Sequence, residues 1–556
     1  MKFSQMPYKR VEKESAVKAY EEFIKQMKEA KSGEEAYAVH KKKDDFEGDI
    51  NSDITLAEIR HGIDTTDEFY EKENDYYDEF LPELSSLQDK YNRALYDSPY
   101  RDYLVSKIGY VAFKNLELGF KSFDDKIVPL LQEENALTSR YSKLIANAKI
   151  QYKGEEYNLS GIFKYTHSKD REVRKESWKS VNDYFNSVTE EIDEIYDKLV
   201  KNRTKQAKEL GYKNYVELGY YRMQRNNYDK NQVETFRSQV KKAFVPFVGK
   251  IEKDIADRLG LDKLTLYDLG MYFKEGNPSL ICDDEQVLLA GRKMYEELSP
   301  ETGEFMDFMT DNELFDIKAR KTKEQGGYMT FIPRYKSPFI FGSFTGTFDD
   351  VGLITHECGH AFQGYLKRNV EVSEHASLTM ETAEIHSMSM EYFTYKWMDL
   401  FFGKDEDRYK KTHFEDSCIF VPYGCMVDEF QHIVYEKPEM TPAERKAVWK
   451  ELEKEYRPCI DQSELDFFEN GGYWQRQSHI FSSPFYYIDY VLASVCAMQF
   501  KVLMDKDYKD AWKKYLVVCE EAGLKYFTEI LEDAGLLSPF KDGTIEKLVE
   551  ELGKKL

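Results

Sequence analysis

The stretch Thr355–Tyr365, THECGHAFQGY, follows FGSFTGTFDDVGLI over residues 341–354 and sets a glutamate between two histidines that stand four apart. On an α-helix that spacing puts both imidazoles on one face, where His356 and His360 can present two nitrogens to one cation. Glu357 then points about 100° round the helix, close to the cation without binding it, where it can take a proton from water. Leu353, Ile354, Phe362 and Leu366 supply apolar contacts to seat the helix, and Asp349 or Asp350 is placed to cap its N-terminus. In a chain with 10 histidines, an accidental HExxH is expected at roughly a few per cent, so the surrounding sequence has to decide the reading.

A catalytic zinc site of tetrahedral type needs a third protein ligand and keeps its fourth position open. The extended motif with Gly at 363 and His at 366 is excluded, because Gln363 and Leu366 stand there. The next helical segment, SLTMETAEIHSMSMEYF from Ser377, instead carries Glu381, Glu384 and Glu391 near one face. One of these would bind the cation and the others could orient a ligand imidazole. Spacing alone leaves Glu381 and Glu384 both open.

Outward from this centre, the 556 residues contain only 15 prolines and 30 glycines, which predicts long helices with short breaks. Amphipathic runs such as AVKAYEEFIKQMKEA and REVRKESWKSVNDYFNSVTEEIDEIYDKLVKNRTKQAKEL fill the first third. There IQYKGEEYNLSGI alternates and turns at Lys153-Gly154, as a hairpin would. From Tyr328 to Phe348 the texture changes to YMTFIP and SPFIFGSFTGTF, read as two strands beside the HExxH helix. The change in texture suggests a helical N-terminal lobe over 1–205 and a catalytic region over 206–556.

A formal net charge of -23 disfavours nucleic acid and anionic membrane as general partners. No apolar run marks a secretory leader at the N-terminus, and YVLASVCAMQF from Tyr490 reads as too short to cross a bilayer. Seven scattered cysteines without a CxxC pair suit reduced thiols, so a cytoplasmic location is expected.

The run GSFTGTFDDVGLITHECGHAFQ with TAEIHSMSME downstream resembles the thimet oligopeptidase and oligoendopeptidase F family of zinc peptidases. The likeness is specific from about Pro338 to Val495. It implies that Glu384, in the Ala383-Glu384 dipeptide ahead of Ser387 and Glu391, is the third ligand of one Zn2+ ion. It also implies a mainly α, two-lobed helical body with a deep channel that admits oligopeptides. Cys358 departs from the apolar residue common there in the family, and is expected to pack as a small hydrophobe.

Cleavage further requires a grip on an extended backbone and donors for the oxyanion. Gly342 and Gly346 in FGSFTGT could open a strand edge to which a peptide adds. The segment RQSHIFSSPFYYIDYVLA, residues 476–493, is similar to the family's His and Tyr segment. That likeness implies His479 and Tyr490 as transition-state donors, with Tyr486 and Tyr487 lining the cleft; adjacent helical residues are not expected all to face one point. The expectation is a zinc endopeptidase of short peptides. Two alternatives stand beside it: a zinc exopeptidase acting as an aminopeptidase or dipeptidyl carboxypeptidase, and a peptide-binding helical protein without catalysis. The oligomeric state is not legible.

Overall fold

The computed structural model describes residues 1–324 and 326–555. Most of them are helical, and the chain forms two compact units that interleave along the sequence. The first unit takes Met1–Glu117, Ser279–Glu406 and Leu503–Leu536, and the second takes Leu118–Pro278, Asp407–Val502 and Leu537–Leu556. Position 205, where the texture suggested a boundary, lies inside the continuous helix Arg171–Glu209. Contacts between segments distant in sequence define the units instead.

In the first unit, helices Lys13–Glu29, Gly33–Ile63 and Glu68–Tyr96 bury Tyr20, Phe80, Leu84 and Tyr91 in one apolar core. Ser32 accepts the Glu35 N–H, and Asp67 accepts those of Phe69 and Tyr70, which satisfies donors that a helix start leaves open. Arg334, in the turn between two strands, binds Asp49 and Asp53 of helix Gly33–Ile63 at 2.7 Å each. This pair of contacts fastens the small sheet to the long helix.

That sheet has three strands, with Ser337–Phe341 in the middle. Tyr328–Ile332 pairs with it antiparallel, in the register Tyr328↔Phe341 to Ile332↔Ser337. The short strand Phe315–Asp316, which the sequence pattern did not suggest, pairs in parallel on its other side. All five residues of the middle strand are buried, as expected for a strand covered on both faces. Helix Asp349–Leu366 carries the HExxH motif, and helix Met380–Phe393 follows it. Behind them Phe305, Phe362, Phe393 and Trp512 pack ring against ring, with centroids 5.2–5.8 Å apart. This aromatic block fixes the two helices from the side away from their polar residues.

In the second unit, Tyr196, Phe430, Trp449 and Trp474 form the aromatic centre around helices Arg171–Glu209 and Glu406–Glu436. The hairpin forms where predicted, Ile150–Tyr152 with Glu155–Tyr157, and Lys153 and Gly154 both take positive φ, 52° and 83°. Helix Tyr487–Lys506 corrects one expectation, since its 20 residues are long and apolar enough to span a bilayer by composition. Ile488, Val491, Leu492, Val495 and Met498 are nevertheless fully buried within the protein, so its apolarity serves the core.

Candidate metal centre

His356 and His360 lie one turn apart on helix Asp349–Leu366, with their rings 5.1 Å apart. Glu384 approaches from helix Met380–Phe393, with Oε2 at 3.4 Å from His356 Nε2 and 3.6 Å from His360 Nε2. The three candidate ligand atoms lie within 4.8 Å of one another. Two imidazoles and one carboxylate converging in this way are a donor set that suits a divalent metal ion. Among Glu381, Glu384 and Glu391, the structure brings Glu384 to the histidines.

Glu391 lies behind His356, with Oε1 2.6 Å from Nδ1. That bond holds the Nδ1 proton, so the Nε2 lone pair points to the centre. Ser387 donates to Glu384 Oε2 at 3.1 Å and steadies the third ligand. Burial opposes charge on His356, but Glu384 and Glu391 outweigh it and raise its pKa well above the usual value. Burial lowers the pKa of His360 to about 4.

The two helices cross at Gly359. A Cβ there would lie 2.6 Å from the His386 carbonyl oxygen and 2.6 Å from Ser387 Cα, so no other residue fits without moving backbone. The glycine before the second histidine is thus a spacing element that lets Glu384 reach both imidazoles.

Glu357 is 9% exposed, and burial raises its pKa to about 7. The backbone of Met329, on strand Tyr328–Ile332, lies near enough to Glu357 to favour its ionised form, against the larger effect of burial. Cys358 is fully buried with its thiol against Tyr295, and burial raises its pKa, so it is packed away from the ligands.

Three details differ from expectation. Neither Asp349 nor Asp350 caps the motif helix: both lie inside it, and the Asp350 carboxylate instead reaches back to the N–H groups of Thr345 at 2.9 Å and Gly346 at 2.7 Å. Gly342 and Gly346 do not offer an open edge. Gly342 donates its N–H to Asp316 O at 2.8 Å, its carbonyl accepts from the buried Lys323 ammonium, and Gly346 is held by Asp350 at φ 77°. The reason is topological: Gly342 directly follows the central strand, which is paired on both sides, and Gly346 lies in the loop beyond it.

Among the described residues the sheet has two edge strands, the two-residue Phe315–Asp316 and the longer Tyr328–Ile332. Ile340 donates to Leu314 on the far side, so Met329 and Phe331, opposite Ile340 and Pro338, turn their peptide groups away from the sheet. Sequence reasoning missed this because a backbone group carries no residue signature.

In the second unit His479 is surrounded by Tyr487, Tyr486 and Tyr490, at ring centroids of 5.1, 5.9 and 6.1 Å. All three tyrosines gather at His479, against the expectation from helical spacing. The helix begins only at Tyr487, and Phe485 turns the chain just before it at φ 70°. His479 is half-buried, and burial lowers its pKa. Of the histidines outside these clusters, His432 bonds Tyr220 at 3.0 Å in a buried network with Asp428.

Comparison with known proteins gives a consistent result. The peptidase M3 N-terminal domain profile matches residues 3–123, and that of peptidase family M3 matches residues 164–283 and 303–549. No curated protein matches. A solved structure of PZ peptidase A with an inhibitor is 45% identical, superposes with a TM-score of 0.92, and covers 100% of this chain and 98% of its own. A protein from Bacillus anthracis str. Ames, provisionally named oligoendopeptidase F, is 41% identical with a TM-score of 0.87, covering 100% of this chain and 98% of its own. A second protein provisionally given that name is 44% identical with a TM-score of 0.92, covering 100% and 99%. The chain belongs to peptidase family M3, a family of metallopeptidases.

Proposed function

We propose that this peptidase is a zinc-dependent endopeptidase that hydrolyses short oligopeptides. The observation that carries the reading is the convergence of His356, His360 and Glu384 beside the buried carboxyl of Glu357. Zinc held by those three residues supplies Lewis-acid polarisation of a carbonyl and of water. Glu357 is the general base: its carboxylate takes a proton from the attacking water and returns it to the departing amide nitrogen. A carboxyl with a pKa of about 7 in the metal-free protein is suited to exchange protons near neutrality, and a nearby cation favours its ionised form.

The substrate backbone adds along strand Tyr328–Ile332, where Phe331 offers an N–H and a C=O to an extended peptide. The Met329 backbone lies near Glu357, so the base and the strand are neighbours. His479 and Tyr490 are assigned as donors to the developing oxyanion, with Tyr486 and Tyr487 as neighbouring contacts; the support is the family likeness and their clustering around one imidazole. A cytoplasmic setting fits seven free thiols.

The test is an internally quenched peptide library blocked at both ends, with cut positions read by mass spectrometry. Internal cleavage that a chelator abolishes and zinc restores is expected. Cleavage only of peptides with a free terminus would replace the endopeptidase reading by an exopeptidase one. Glu357→Gln should keep zinc at one ion per chain while turnover disappears; retained turnover would remove Glu357 from the role of base.

A further inference from the structure

His479 is held at its ring by a short relay within the second unit. The Tyr423 hydroxyl donates to Gln477 Oε1 at 2.8 Å, and Gln477 Nε2 lies 2.8 Å from His479 Nδ1. An amide has one accepting end and one donating end. With the phenol donating to the oxygen, the end that meets His479 is the NH2, so Nδ1 must accept. A neutral imidazole that accepts at Nδ1 carries its proton on Nε2.

We propose that Gln477 is a positioning residue: through Tyr423 it fixes His479 as the Nε2–H tautomer and keeps a hydrogen-bond donor on the ring nitrogen that Gln477 does not occupy. The inference rests on the assignment of His479 to the oxyanion made above. It explains why a histidine, rather than only tyrosines, can serve there. A neutral Nε2–H imidazole remains a donor at every pH above its own pKa, and the imidazolium is a donor below it.

The surroundings are compatible with this role. The titratable groups packed against the ring are Tyr486, Tyr487 and Tyr490. Burial lowers the pKa of His479, which favours the neutral ring. Tyr487 is also within hydrogen-bond contact of Gln477, so the same amide ties the relay to the tyrosine cluster. Tyr423 itself is braced by the rings of Tyr473 and Tyr487, each 5.9 Å away and close to perpendicular. Gln477 precedes the helical turn Ser478–Ser482, at the start of the segment that holds His479 and the tyrosines.

The experiment uses the full-length, zinc-loaded protein. In uniformly 15N-histidine-labelled protein, the His479 resonance, identified by its loss in His479→Ala, should show the Nε2–H tautomer. A proton on Nδ1 would overturn the inference without requiring any variant at 477. Kinetics on an end-blocked peptide then distinguish positioning from structural support. In Gln477→Glu a carboxylate faces Nδ1; it raises the pKa of His479 and holds the proton of the neutral ring on Nδ1. The Nε2 donor is therefore present below the raised pKa and lost above it. Because loss of one oxyanion donor costs about 10²–10³ in kcat, kcat of Gln477→Glu should fall at least about tenfold on the alkaline side relative to the parent, with KM within about threefold.

Gln477→Met removes the relay without adding charge, and should lower kcat several-fold at every pH with no new alkaline limb. A Gln477→Glu enzyme of parental zinc content and melting temperature that keeps the parental pH profile would overturn the proposal. If His479→Ala leaves kcat within twofold, it is the oxyanion assignment that fails, and the tautomer measurement shows separately whether the relay exists.

Discussion

Substitution of Gly359 by alanine isolates the geometric requirement of the metal centre. The added methyl would start 2.6 Å from both the His386 carbonyl oxygen and Ser387 Cα, where ordinary contact begins at 3.4 Å. Both neighbours are backbone, so helix Met380–Phe393 has to retreat from the motif helix by about 0.8 Å. Glu384 is on that helix and is steadied by Ser387, one of the two residues displaced. Metal-ligand distances tolerate only about ±0.2 Å, so a retreat several times larger should pull the carboxylate out of a set that His356 and His360 complete. The overpacking itself should cost about 1–3 kcal/mol of stability. Zinc affinity, measured by competition with a chromogenic chelator, should fall at least about tenfold. Loss of stability should appear as a lower urea midpoint in the metal-free protein, which separates it from loss of bound metal. A Gly359→Ala protein that binds zinc and cleaves peptide within twofold of the parent would refute the claim that glycine sets the helix crossing.

Glu391→Ala removes the acceptor at His356 Nδ1 and, as for other partners of metal-bound histidines, should weaken zinc binding by about 10–100-fold; unchanged affinity in the same competition assay would show that the contact does not orient the ligand. In metal-free protein the raised pKa of Glu357, about 7 against 4.5, means that folding takes up a proton in that interval, so stability is greatest below pH 4.5 and declines as pH rises to about 7. The loss amounts to roughly 3 kcal/mol. Glu357→Gln should remove it, so the variant gains on the parent between pH 5 and pH 8 in urea unfolding; a parallel pH dependence in both would count against a buried carboxyl. Lys323→Met leaves the Gly342 carbonyl without its ammonium partner, while Asp316 keeps Arg320 at 2.7 Å. A cost of about 1–3 kcal/mol is expected, with an unchanged urea midpoint as the contrary result.

Much of the metal centre was legible because helical periodicity is a local rule. His356 and His360 stand four positions apart whatever the rest of the chain does, and Glu357 between them can only point aside. The choice of Glu384 over Glu381 was not local. It depends on where helix Met380–Phe393 crosses its neighbour, and the crossing is fixed by Gly359 meeting the backbone at His386 and Ser387. The sequence showed a glycine before the second histidine, but its contact partner lies on another helix, so its spacing role could be read only in three dimensions.

The strand edge illustrates the same limit more sharply. Glycines at 342 and 346 looked like an invitation to a peptide, because glycine in a strand clears space for an approaching backbone. The space is occupied by the chain itself: Leu353 lies 3.1 Å from where a Gly342 Cβ would stand, and Phe315–Asp316 pairs with the same strand. A two-residue strand has too little pattern to predict, yet it converts an apparent edge into a centre and moves the free edge one strand over. There the peptide groups of Met329 and Phe331 turn away from the sheet, and a peptide N–H is common to every residue except proline. An edge that offers only backbone thus carries no signal in its side chains. For the same reason, replacing Met329 with another side chain should matter less than replacing Glu357, because the outward-turned peptide groups are retained.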